Sequence, residues 1–388
     1  LAAAQALTGE ELLAIAAVGL AVALVVLSLL NLREVPSRVR HAVRASIWAL
    51  VSFVVIAGGP LVYQVVGPQA VTGSVQPRDL YVTDLYSPVL PTMLNWFHNR
   101  WSWGYTQRFP AKGGEWSSYL GIPLILLLVF VVVMFRRHRG VLAAGLVALV
   151  MFVFSLGPHL HAGAHNWGVP LPWDLVGSVP PLDNLLPVRL MFVVDLIAAG
   201  LIGFAIQRAW RARPRLRPFA LVAVVAAVVA AAPTTKFPSA GVLDPPFFAS
   251  AAANVIPAGS LAVVAPFPTP DNVSTLRWQL DSGFRYRIAG GYAIVPGTGD
   301  RASFYGPDSA TSEVLLAIQH GASVSSLDVF RLIAMASEIR SSGAQTVIVG
   351  PMLNEQNAML LFEEILGGPP NLVTGGVAVW TGVPQRLS

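Results

Sequence analysis

Asp79, Asp84 and Glu115 fall within one stretch of the chain and have the residue type that group transfer needs. Carboxylates spaced as Asp79 and Asp84 are can hold a divalent ion or act as a general base. The same stretch carries Trp96, Phe97, Trp101, Trp103, Tyr105 and Trp116. These aromatics read in two ways, as an interfacial belt beside a membrane or as a platform on which a sugar ring stacks. The two aspartates also have a structural reading. Asp79 can pair with its neighbour Arg78, and Asp84 can cap the segment at Ser87-Pro88.

A second candidate is the run from Pro158 to His165, which holds His159, His161 and His165. Three imidazoles so close together can bind zinc. The run is rich in glycine and proline, and its one nearby carboxylate is Asp174, so a solvated loop is the expectation and no metal ligand is assigned. Asp195 is a third candidate, because an ionisable group inside an apolar span is expensive and usually has a partner. Arg189 stands less than two helical turns away, which is poor geometry for a pair along one helix. Asp195 is therefore expected to meet a group on another span.

The elements that must position these groups are membrane helices. Hydrophobic residues make up 54% of the 388 and charged residues 12%, about half the usual share of charge in a soluble domain. Long apolar runs cover 12–32, 45–66, 119–135, 141–156, 190–206 and 219–232, the second containing the breaker Gly58-Gly59-Pro60. The net charge of +5 does not mark a nucleic-acid binder, because twelve arginines crowd three short connections between the runs. These are Arg33, Arg38, Arg40 and Arg44, then Arg136, Arg137 and Arg139, then Arg208, Arg211, Arg213, Arg215 and Arg217, with Glu34 the one acid among them. The two long connections, 67–118 and 157–189, hold five Lys or Arg in all. Positive loops stay inside, so both long loops are expected on the extracytoplasmic face. The first run then begins outside, which predicts that an odd number of spans precedes residue 1 in a longer protein. The chain has no cysteine, which excludes disulfides, thiolate metal sites and cysteine nucleophiles.

Beyond residue 232 the composition is that of a soluble domain, with eleven acids and eight bases. Strands are expected at 261–266, 345–349 and 377–380, and helices at 326–340 and 354–366. That order predicts a small α/β domain. The pair Gly297 and Gly299 stands alone and reads as a turn, with no phosphate-binding fingerprint. The expected architecture is an α-helical polytopic membrane domain of about six helices (1–232), followed by a small extracytoplasmic α/β domain (233–388).

Several stretches together resemble a known family. They are Gly113-Gly-Glu-Trp-Ser-Ser-Tyr-Leu-Gly-Ile-Pro123, Ser155-Leu-Gly-Pro158, Pro170-Leu-Pro-Trp-Asp174, Leu186-Pro-Val-Arg-Leu190, Trp278-Gln279 and Gly290-Gly-Tyr292. The set resembles large actinobacterial membrane proteins of the GT-C glycosyltransferase type, including YfhO-like members. In that family a Glu-Xaa-Xaa-Xaa-Tyr-Leu-Gly segment precedes one span, here Glu115, Tyr119, Leu120 and Gly121. A Leu-Pro-Xaa-Arg segment precedes another, here Leu186, Pro187 and Arg189.

The resemblance implies a plasma-membrane enzyme that moves a sugar from a polyprenyl-phosphate donor to a cell-envelope glycan acceptor, with an acidic catalytic residue in an extracytoplasmic loop. Asp79, Asp84 and Glu115 are the acids offered for that role. Arg189 is offered as a donor-phosphate contact, with Trp101, Trp103 and Tyr119 on the substrate side. The sequence leaves the cofactor open, a divalent metal included. The lipid bilayer is an expected partner, and nucleic acid is not. A non-catalytic, membrane-anchored protein of envelope assembly is the alternative. A transporter fits less well, because the spans are poor in polar residues.

Overall fold

The computed structural model describes every residue except 33–34, 69, 117, 181, 212–213, 215–216, 236, 238, 240, 298–300, 305–308 and 388, and the side chains of 35–42 are likewise left aside. The expectations for Arg33, Glu34, Arg213, Arg215 and Gly299, and for the side chains of Arg38 and Arg40, lie outside the described residues. The chain forms two units, one of Leu1–Val65 with Ser74–Phe237, the other of Val66–Gly73 with Pro238–Ser388. The first residues of the long loop expected at 67–118 therefore lie with the second unit.

The first unit is a helical bundle. Its elements are α1 (Ala2–Thr8), α2 (Glu10–Leu30), α3 (Val35–Val66), α4 (Arg100–Thr106), α5 (Ile122–Met134), α6 (Arg139–Ser155), β1 (His159–Ala162), β2 (His165–Pro170), α7 (Trp173–Val176), α8 (Met191–Arg211) and α9 (Arg217–Ala230). Among the described residues three stretches are long and apolar enough to cross a membrane: Glu10–Leu30, Val43–Val66 and Pro187–Arg211. Helices α5, α6 and α9 are apolar but shorter, with 13, 17 and 14 residues.

The span expected from Tyr119 begins later because Leu120 and Gly121 both donate their N–H groups to the Pro88 carbonyl, at 3.1 and 2.9 Å. Gly121 then turns the chain at φ +82° before the helix starts. The break expected at Gly58-Gly59-Pro60 is absent, since α3 runs through it with Pro60 inside. Proline removes its own donor and crowds the carbonyl one turn back, a local cost that does not end an apolar helix whose remaining bonds have no water competing for them.

Close packing in the bundle uses small residues. A Cβ at Gly145 of α6 would come within 2.8 Å of Val132 on α5, so the two helices approach through that glycine. Ile15, Val18, Met151, Met191 and Val194 are buried between α2, α6 and α8. The outward faces stay apolar. Leu20, Val55, Leu126, Leu196 and Val222 are all exposed, as expected of helices solvated by lipid rather than water.

The connections separate to the two ends of the bundle. At one end the loop after Ser74 reaches the end of α6 (Thr83 N–H to Ser155 O, 2.9 Å), the start of α8 (Val188 N–H to Tyr81 O, 3.0 Å) and the end of α9 (Trp96 N–H to Ala232 O, 3.0 Å). At the other end Arg139 donates to Asn31 Oδ1 at 2.6 Å. There the Arg208 guanidinium also lies 5.9 Å from the Phe135 ring centre. The described arginines of the short connections gather at this second end.

The second unit is α/β. After β3 (Leu261–Ala265) come α10 (Ser274–Asp281), β4 (Arg287–Ile288), the small hairpin β5 (Val295–Pro296) and β6 (Ala302–Ser303), α11 (Ala310–Gln319), α12 (Val329–Ser342), β7 (Thr346–Val349), α13 (Glu355–Leu366), β8 (Leu372–Thr374), β9 (Val377–Thr381) and α14 (Val383–Arg386). The main sheet has the order β4-β3-β7-β9-β8, parallel from β4 to β7 and antiparallel from there on.

The all-apolar run LAVVA makes sense in that sheet, because helices or loops cover both of its faces. Val263, Val347 and Trp380 point into one core with α11, α12 and α13. Ala262, Val264 and Val379 point into a second core with Phe248, Trp278 and Tyr286. Helix α12 starts later than Ser326, at an Asp328 cap that accepts from Phe330 N–H, and stops at Gly343 with φ +74°. Elements α10, β4, β5, β6, α11, β8 and α14 are additions that the expected order lacks.

Candidate functional site

The end of the bundle that carries the long loops gathers most of the candidate groups into two clusters. The first is built around a β-hairpin. Strands β1 and β2 pair with Ala162 opposite His165, leaving Gly163 and Ala164 as a two-residue turn with φ +64° and +66°. Positive φ at both central positions is the turn that matches the twist of a hairpin. The solvated loop expected here is thus an ordered hairpin, and a buried carboxylate supports its turn. Asp84 is fully buried and accepts from Tyr86 N–H (2.9 Å), Gly163 N–H (3.0 Å) and Ala164 N–H (2.7 Å).

Asp84 is offered by the sequence as a base or ion ligand, but three amides already occupy its oxygens. Its local turn at Ser87 is present as well, with Ser87 N–H donating to Asp84 O at 2.8 Å. Asp84 holds the loop to the hairpin.

Asp79 has a different setting. Both of its oxygens lie 3.0 Å from His159 Nδ1, and Oδ1 is 3.8 Å from His161 Nε2. The expected pairing with Arg78 is replaced, because Arg78 turns to Asp174 at 3.2 Å. Facing a carboxylate, His159 Nδ1 carries the proton, which leaves Nε2 as a base. The Asp79 and His159 side chains are 38% and 37% exposed, so an incoming molecule can reach them.

His161 is buried, and its Nε2 has no hydrogen-bond partner among the described residues. Burial lowers its pKa from the ordinary 6.5, opposed chiefly by the charge of Asp79. His165 faces away and meets Trp167 edge-on at 5.2 Å. Among the described residues no group of three His, Asp or Glu is arranged to hold a metal ion.

The His161 shift gives a pH prediction. Its folded pKa lies below its unfolded value, so the stability it contributes is fully present above about pH 6.5 and is lost as pH falls toward the folded value. Thermal midpoints of the purified protein should therefore drop between about pH 7.5 and about pH 5.5. His161→Gln should flatten that slope, and an unchanged slope would rule out His161 as its source.

In the second cluster Arg189 lies between two acids. Its Nε donates to Glu115 Oε2 at 2.9 Å and its Nη2 to Glu115 Oε1, while its Nη1 donates to Glu11 Oε2. The other Glu11 oxygen accepts from Leu186 N–H at 3.0 Å. Glu115 and Arg189, proposed separately as acid and phosphate contact, are thus partners. Glu11, at the start of α2, is the member that sequence reasoning missed. Its signal was its place at the start of the first apolar run, on the arginine-poor side.

Next to Glu115, Trp116 meets Trp103 edge-on at 5.5 Å and donates through its Nε1 to Ala111 O at 2.6 Å. Trp101 is exposed on α4 and meets Tyr105 edge-on at 5.3 Å. That helix is fixed by a reciprocal cap in which Asn99 Oδ1 accepts from Ser102 N–H and Ser102 Oγ accepts from Asn99 N–H. The Tyr119 hydroxyl lies 3.3 Å from where a Gly121 Cβ would be, beside Ala230 of α9.

Asp195 is exposed on α8 and has no partner among the described residues. The expected contact with another span is not made. The buried stripe of α8 runs through Met191, Val194, Ala198 and Leu201, and Asp195 falls outside it.

The C-terminal motifs mark packing. Trp278 is buried, stacks on Phe248 at 5.0 Å and donates to Leu243 O at 2.6 Å. Gln279 donates to Tyr286 O at 2.9 Å. The chain matches no family model, no curated protein and no solved structure.

Proposed function

We propose that this protein is a membrane glycosyltransferase that moves a sugar from a polyprenyl-phosphate donor to a cell-envelope acceptor. The observation that carries the reading is the accessible Asp79–His159 pair at the loop end of the bundle. In such a reaction His159 Nε2 takes the proton of the acceptor hydroxyl as its oxygen attacks the anomeric carbon. The bond from that carbon to the phosphate oxygen breaks, and the lipid phosphate leaves as an anion without needing an acid. Asp79 orients the imidazole and offsets its developing positive charge. Exposed Trp101 offers an aromatic face for the sugar.

In this reading α5, α6 and α9 cross the membrane together with the three long helices, giving six spans. The arginine-rich end faces the cytoplasm. The two long loops and the second unit then face outward from the plasma membrane. The resemblance of the Glu115 and Arg189 segments to GT-C-type proteins supports the same reaction class.

The test is release of polyprenyl phosphate by the purified protein in nanodiscs supplied with a polyprenyl-phosphate sugar and a glycan acceptor. Asp79→Asn should lower the rate at least ~100-fold while leaving the thermal midpoint in place. A wild-type rate in the Asp79→Asn variant would show that the base does not depend on this carboxylate.

The alternative is a non-catalytic, membrane-anchored protein of envelope assembly. The observation favouring it is that the fold itself occupies three of the candidates, Arg189 and Glu115 by each other, with Glu11 on the same guanidinium, and Asp84 by three amides. An inactive wild-type protein across donors and acceptors would favour that alternative.

A further inference from the structure

The outer face of α5 carries Leu126, Val129, Phe130, Val133 and Met134 at helical spacing, and it lines an open groove of about 560 Å³ that ends at Arg136 and Arg137. Both arginines are exposed, and neither has an acidic partner among the described residues. Arg139 and Arg208 belong to the same end of the bundle.

We infer that this groove binds an anionic glycerophospholipid of the bilayer, with one acyl chain along α5 and the phosphate on Arg136 and Arg137.

Three arguments support that occupant. An apolar groove leading to two guanidinium groups with no acidic partner among the described residues is complementary to a chain that carries a phosphate, and guanidinium binds phosphate through paired donors. Helix length adds a second argument. The 13 residues of α5 span about 20 Å, against a hydrocarbon core of about 30 Å. A bilayer meeting this face must thin to match the short helix, and thinning draws headgroups toward the arginines. The third argument separates this lipid from the proposed sugar donor. Asp79 belongs to the loop joined to the start of α5 through Pro88, whereas the arginines follow its end, so a phosphate held by them is a helix length away from Asp79. The inference does not depend on the transferase reading.

The test is native mass spectrometry of the purified full chain, titrated in mild detergent with phosphatidylglycerol, phosphatidylcholine or undecaprenyl phosphate. Wild type should bind phosphatidylglycerol more tightly than phosphatidylcholine. Arg136→Gln with Arg137→Gln should weaken phosphatidylglycerol binding by about 30-fold, down to the level of phosphatidylcholine. Arg136→Lys with Arg137→Lys keeps both charges and should keep most of the preference, which preserves the test if the glutamine variant does not fold. Equal binding of the two phospholipids by wild type, or a glutamine variant that retains the preference, would overturn the inference. Tighter binding of undecaprenyl phosphate that needs the same two arginines would overturn it in favour of the isoprenoid lipid.

Discussion

Asp84→Ala is expected to destabilise the bundle by about 3 kcal/mol, because it leaves three part-buried amides without an acceptor at about 1 kcal/mol each. The donors are Tyr86, Gly163 and Ala164, and the carboxylate they bind is fully buried. Two of them form the hairpin turn, so the damage should fall on 159–170 first. Asp84→Asn is informative as a comparison. Its amide oxygen can still accept from Tyr86 and Gly163, but its NH₂ would face the Ala164 N–H, donor against donor. The Asn variant should therefore lie between wild type and the Ala variant.

Thermal denaturation in micelles gives the size of the effect, and limited proteolysis between β1 and β2 gives its location. Wild-type protease resistance of that hairpin in the Ala variant would show that Asp84 does not hold it. The same experiment separates a structural carboxylate from a catalytic one. Loss of activity at Asp84 should follow loss of structure, whereas loss at Asp79 should not.

The second large effect concerns Arg189. Replacing it with Met leaves Glu11 and Glu115 facing each other with side chains only 26% and 20% exposed. Unpaired charges in such a setting are costly, and the partly open site scales the loss to about 3 kcal/mol. Adding Glu115→Gln to Arg189→Met removes one of the two stranded charges and should recover part of that loss, the signature of direct coupling. Arg189→Lys cannot serve Glu115 through two parallel donors and reach Glu11 together, so it should fall short of wild type. Unfolding of each variant in mixed micelles, followed by tryptophan fluorescence, measures these differences. Additive losses in the double variant would mean that the three side chains do not act as a unit. The triad also bears on function, because Arg189 can bind a phosphate only after one of its carboxylates gives way.

Much of this protein was legible in its sequence because the governing patterns are local. Apolar runs long enough for a bilayer located the helices, and the strands expected at 261–266 and 345–349 are present as Leu261–Ala265 and Thr346–Val349. Arginine placement sorted the connections into two kinds, and the described ones do collect at opposite ends of the bundle. Local pattern was less reliable where tertiary contacts compete with it. The start of α5 moved because Leu120 and Gly121 bond to Pro88, and Pro60 did not break α3 because the rest of its ladder holds.

The candidate site was legible only as a list of residue types. Asp79, Asp84, Glu115 and Arg189 were all visible as chemically capable groups, but a carboxylate's role depends on what faces it. Asp84 meets amides 79 and 80 positions away, Asp79 meets an imidazole 80 positions away, and Arg189 meets Glu11 178 positions away. No local spacing rule reaches that far. The sequence determined where the helices lie and which end of the bundle holds the reactive side chains. The tertiary structure decided which of those side chains are already spent on each other and that the Asp79–His159 pair is left open, because partnership is set by distance in space and the chain returns to this end of the bundle several times.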